Sequence, residues 1–158
     1  MPKLATERKR PQIGDVIEIE TPIGLGYAQY THEHREPPRF GSLLRVLPGL
    51  FAMRPSDFQA LLVQEERFSI FFPLGAALNR QILRIVANDA IPKARRAFQT
   101  FGKLSGDGQV WWMWDGSREW KARSARERTP RALRAIWNDT LLIERIADQD
   151  WTPSEDDY

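Results

Sequence analysis

The sequence predicts a mostly β, α+β domain: a small, partly open barrel or a curved antiparallel sheet with two or three short helices, one of them at the C-terminus. Three observations point there. Short runs of alternating, β-branched or aromatic residues recur between Gly/Pro turns, as at Asp15 to Thr21 and Phe40 to Leu47. A tryptophan-rich segment from Val110 to Arg123 centres on Asp115-Gly116, a hairpin signature. Helical signals are confined to two brief capped stretches.

In the first strand, Asp15 to Thr21, Ile17 and Ile19 alternate with Glu18 and Glu20, as in a half-buried edge or barrel strand. Pro22 and Gly24 turn the chain into a second strand, Leu25 to Thr31, and the polar stretch His32 to Arg39 leads to a third, Phe40 to Leu47. Three short strands so connected resemble the opening of an SH3-like barrel. Ser56 with Gln59 reads as a capping box for a helix over 56–66, with Phe58, Leu61 and Leu62 as its stripe. Phe68 to Leu74 and Gln81 to Ala87 predict two more strands, and 92–109 reads as an irregular, mobile loop. In the hairpin, a type I′ turn at Asp115-Gly116 pairs Trp114 with Ser117, Met113 with Arg118, Trp112 with Glu119 and Trp111 with Trp120. Trp111, Met113 and Trp120 then share one face; Val110, Trp112 and Trp114 share the other with Glu119 and Lys121. After a basic loop, Asn138-Asp139 caps a helix from Thr140 to Ala147 with Leu142, Ile143 and Ile146 buried. Trp151 and Pro153 return the chain end to the body. A basic tail (1–12) and an acidic tail (154–158) flank a single domain over 13–153.

At 158 residues and 42% apolar content, one contiguous core is expected, leaning on six Trp and eight Phe. The absence of Cys excludes disulfides, a thiolate nucleophile and thiolate metal sites. No apolar run suits an export signal or a membrane span, so a cytoplasmic location and no membrane partner are expected. With 23 Lys+Arg against 21 Asp+Glu, a net charge of +2 does not by itself indicate nucleic acid. The basic charge is concentrated between Arg118 and Arg134, beside several Trp, which keeps single-stranded nucleic acid as a secondary alternative. Its bland counterpart is a solvated positive face.

Trp112 and Trp114 are the first candidates for function. If the opposite hairpin face is core, two large rings stand among charges, the composition of a binding hot spot. Arg118, Lys121 and Arg123 complete the candidate set, and together they favour a protein partner with an acidic contact surface. The competing reading covers that face with another segment as a second core layer. His32 and His34 form a His-x-His pair that can face one metal on an extended strand, with Asp15, Glu18, Asp57 or Asp89 as further ligands. Solvent-facing imidazoles are the commoner outcome, so neither a metal nor a cofactor is assigned. Asp15 after Gly14 reads as a turn carboxylate rather than a catalytic acid. No Gly-x-Ser-x-Gly elbow supports a serine triad, and Gly24-x-Gly26 lacks the helix a phosphate loop needs.

Ile13-Gly14-Asp15-Val16, Gly26-Tyr27-Ala28, Trp112 to Gly116, Ile136-Trp137-Asn138-Asp139-Thr140 and Ile143 to Ile146, in that order, resemble the immunity protein 26 family of bacteria. The resemblance implies a mostly β protein encoded beside a polymorphic toxin, protecting its own cell by binding that toxin. The grouping also includes a small organophosphate phosphotriesterase, so a metal-dependent hydrolase using His32 and His34 is the alternative. Its motifs look structural, and no catalytic residue carries over.

Overall fold

The structure, a computed structural model, describes residues 10–96, 100–103, 111–123 and 132–153. Among them, nine strands form one curved sheet in the order β5-β1-β2-β3-β4-β9-β6-β7-β8, with three short helices against it. The strands are β1 (Asp15–Thr21), β2 (Gly24–His34), β3 (Gly41–Val46), β4 (Phe68–Phe72), β5 (Leu83–Asn88), β6 (Thr100–Lys103), β7 (Trp111–Trp114), β8 (Glu119–Lys121) and β9 (Ala132–Ile136). The helices are α1 (Gln59–Leu62), α2 (Leu74–Asn79) and α3 (Asp139–Ala147). β1 to β4 pair antiparallel as successive neighbours, and β9 enters parallel to both β4 and β6, so the sheet is mixed rather than antiparallel throughout.

One face of the sheet carries the main core. Ile17, Ile19, Ala28, Leu44, Val46, Ile70, Phe72, Leu83 and Ile85 alternate inward from five strands and meet Leu142 and Ile146 of α3 and Leu74 and Leu78 of α2. The Asn138 side chain accepts from Leu141 N–H at 2.8 Å, capping α3 as its sequence signal predicts. At the other end of α3, the Arg67 guanidinium donates to the carbonyls of Arg145, Ile146, Asp148 and Trp151. It thereby satisfies carbonyls that the helix leaves open and places a cation at the negative end of the dipole. Trp151 packs on Phe68 and Trp137 at 5.0 and 5.4 Å between ring centroids, which returns the chain end to the body.

Helix α3 lies so close to β2 that a Cβ at Gly26 would sit 2.6 Å from Cγ2 of Ile146. Gly26→Ala is therefore expected to destabilise the protein by about 1–3 kcal/mol in urea unfolding through overpacking. Adding Ile146→Ala, which removes the clashing methyl, should make the Gly26 substitution cost less than it does alone. Additive costs in the double variant would show that the approach of α3 does not depend on the missing side chain.

Several elements differ from the sequence reading. β1 is not an edge: it lies between β5 and β2, and Glu18 is buried because the chain after β3 covers that face. Ser56 caps nothing. Helix α1 is a single turn whose first free N–H, on Gln59, bonds Asp57 Oδ1 at 2.9 Å, although Phe58, Leu61 and Leu62 are buried as the stripe predicts. β4 ends at Phe72, and Pro73 precedes α2, whose Leu74, Ala77 and Leu78 form an i, i+3, i+4 stripe too short to stand out. The stretch 92–109 is not wholly irregular: it contains a 3-10 turn, Lys93–Arg95, and β6, while 97–99 and 104–109 lie outside the described residues. Within the basic loop, β9 is a strand, and 124–131 lie outside the described residues.

The hairpin register is also corrected. Trp114 pairs with Glu119, Met113 with Trp120 and Trp112 with Lys121, so the loop spans four residues, Asp115 to Arg118. A type I′ turn would need positive φ at both central residues, yet only Gly116 has it, at 100°. Asp115 instead closes the loop with its side chain, Oδ1 accepting from the N–H groups of Ser117 and Arg118 at 3.0 and 2.7 Å. The register differs from the expected one by two residues, an even number, so the described strand side chains keep their predicted faces, while Val110 lies outside the described residues.

Candidate functional site

The second face of the sheet holds the polar and aromatic features that the core does not use. It has three zones. Nearest β1, Val16, Tyr27 and Leu47 pack under Phe58, Leu61 and Leu62. Glu18 sits among them, accepting from Tyr27 Oη at 2.9 Å and from Arg54 Nε and Nη2 at 2.7 and 3.0 Å. Burial pushes the Glu18 carboxyl up, but the bonds from Arg54 and Tyr27 and the nearby guanidinium charges outweigh it and hold it below the usual range. Burial and the same carboxylate push the Tyr27 hydroxyl well up, so the pair is a locked anion and donor rather than an acid–base couple.

The middle zone is a buried polar network. Arg45, 1% exposed, donates to Gln29 Oε1 at 3.0 Å and to the carbonyls of Leu62 and Gln64. Glu66 lies 3.7 Å from Arg45 and 2.6 Å from Arg95 Nε, so the network ties α1 and the 3-10 turn to the sheet. Gln29 continues it to the carbonyl of Asp89 at 3.0 Å. Asp15 is a turn carboxylate as expected, bonding Gln12 N–H at 2.7 Å and Asn88 Nδ2 at 2.9 Å.

The third zone is where β2, β3, β4, β9 and the hairpin converge. Trp114, only 4% exposed, packs with Leu43 and Phe71, edge-on to His34 at 4.5 Å and against Phe40 at 5.2 Å. The expectation that Trp114 stands free beside Trp112 is thus corrected: the chain covers it with Phe40 and with Arg134 of β9, whose guanidinium carbon lies 4.2 Å above its ring. Arg134 Nη2 bonds Glu119 Oε1 at 3.0 Å. Trp112, by contrast, is half-buried, flanked in register by Gly102 and Lys121. Lys121, opposite it, is exposed, as are Arg118 in the hairpin loop and Arg123 after β8, and Ile136, 54% exposed, shares strand parity with Arg134. On the opposite hairpin face, Trp111, Met113 and Trp120 join the main core as predicted.

The result is a mixed surface. Arg134 joins it by bridging the buried Trp114 ring, Phe40 and the Glu119 carboxylate. The sequence reading missed Arg134, which stood only as one charge in a basic run. Its signal was positional: in Ala132–Ile136, Arg134 shares strand parity with Ile136 and not with Leu133, which faces the core.

The two histidines are engaged separately. His32 Nδ1 lies 2.9 Å from Thr31 Oγ1 and Nε2 2.9 Å from the Arg96 carbonyl, while His34 meets Trp114 edge-on. Both His32 ring nitrogens are occupied by neighbours, and among the described residues no group of three or more His, Asp or Glu is placed to hold a metal ion. The carboxylates named as further ligands lie elsewhere: Asp15 and Glu18 in their own networks, Asp57 at α1, and Asp89 bonded to Gln59 at 3.0 Å. No family model, no curated protein and no solved structure matches the chain.

Proposed function

We propose that this chain is an immunity-type binding protein that neutralises a cognate toxin by direct contact, docking an acidic surface of that toxin on the outer face of the hairpin. The observation that carries the reading is Trp112: a half-buried ring outside the main core whose Nε1 has no acceptor among the described residues, with the exposed Lys121 opposite it, on a hairpin whose other face is anchored in the core. A rigid ribbon presents the ring with little entropy left to lose, and the surrounding cations steer an acidic partner. The resemblance of the sequence to the immunity protein 26 family points the same way. Among the described residues no helix is long and apolar enough to cross a membrane.

The test is protection. A Trp112→Ala/Lys121→Glu double variant is expected to melt within a few degrees of the wild type and to lose protection against the toxin encoded beside its gene. The affinity for that toxin should fall by at least about 100-fold, since a central Trp and a reversed charge are each worth about 2 kcal/mol or more. Full protection by a normally folded double variant would remove the hairpin face from the interaction.

A further inference from the structure

Arg134 is built as an anchor and is only partly used. Its guanidinium lies 4.2 Å over the Trp114 ring and 5.8 Å from the Phe40 centroid; Trp114 is buried with Leu43 and Phe71, and the half-buried Phe40 packs against them. The side chain is 20% exposed. Of its five N–H donors, one edge meets a single carboxylate oxygen, Oε1 of Glu119, and among the described residues no other acceptor is bonded to it. Glu119 is itself 48% exposed, on the three-residue edge strand β8. A guanidinium held over a buried ring and tied by one bond has already lost much of its rotamer freedom, and its planar fork suits two-point binding of a carboxylate.

Resting on the docking face proposed above, we infer that Arg134 is the specificity anchor of that face, binding an Asp or Glu carboxylate of the partner, and that Glu119 is an intramolecular stand-in for that carboxylate. The charges in the hairpin fit such an occupant: Arg118 and Lys121 flank Glu119, while the other nearby carboxylate, Asp115, is engaged by the N–H groups of Ser117 and Arg118 in its own loop. Docking exchanges one exposed ion pair for another that closes over the ring. Glu119 therefore competes with the partner.

Two single variants with opposite expected signs test this, with a hexaglutamate peptide as probe and hexalysine as control. Binding is followed by the arginine and indole N–H signals in NMR titrations at low salt. Glu119→Gln, which leaves the fork in place and removes the competitor, is expected to bind hexaglutamate at least about threefold more tightly than the wild type. Arg134→Lys, which keeps the charge but loses the planar fork, is expected to bind it at least about threefold more weakly, with its melting temperature measured in parallel. Hexalysine should produce no response in either. Unchanged hexaglutamate affinity in Glu119→Gln overturns the inference whatever Arg134→Lys does, and so does tighter binding that leaves the Trp114 and Arg134 signals unmoved. The two readings separate cleanly: loss of protection in the Trp112/Lys121 variant with no effect of Glu119→Gln leaves the docking face standing and removes only the role of Arg134.

Discussion

Replacing Arg45 by Ala is expected to cost about 3–5 kcal/mol of stability, because it removes one partner of a buried charged network and leaves the others unpaired. Its guanidinium serves Gln29, the carbonyls of Leu62 and Gln64, and Glu66, from a position 1% exposed. Deletion strands those acceptors, opens a cavity the size of the side chain, and leaves Glu66 with Arg95 alone. For a domain whose total stability is about 5–15 kcal/mol, that is a large share. Arg45→Met, which refills the volume but not the bonds, should recover part of the loss. Chemical unfolding midpoints of the two variants check this, and an Arg45→Ala protein within about 1 kcal/mol of the wild type would show that the network contributes little net stability.

Trp114→Ala should be comparably damaging, about 3–5 kcal/mol, while Trp112→Ala two residues earlier should cost far less. Trp114 fills the junction at which Phe40, Phe71, His34 and Arg134 meet, so its removal leaves a large cavity and deprives Arg134 of its platform. Trp112 lies on the same strand face but toward the rim. Thermal unfolding of the two single variants gives the contrast, and equal losses would mean that the two rings are buried alike. The comparison also guards the functional test, because only a ring outside the core can be removed for binding studies without unfolding the protein.

The sequence was a reliable guide where the controlling interaction is local. The alternation of Ile17 and Ile19, the Asn138 cap and the core face of Trp111, Met113 and Trp120 all follow from periods of two or from contacts a few residues apart. Even the misjudged hairpin loop left the faces right, because its shift of two residues preserves parity. The reading failed where a short element gains its stability from distant strands. β6 and β9 have only four and five residues and weak apolar patterning, and they are strands because they pair with each other and with β4 and β7.

The same division separates the two tryptophans at the centre of the candidate site. Sequence by itself determined that Trp112 and Trp114 point away from the core of the hairpin, since side-chain direction on a strand is a property of the strand. Only the tertiary structure decided that one is sealed under Phe40 and Arg134 while the other stays at the rim. What covers a ring comes from residues 74 positions before it or 20 after it, placed by the insertion of β9 between β4 and β6, and no local pattern encodes that placement.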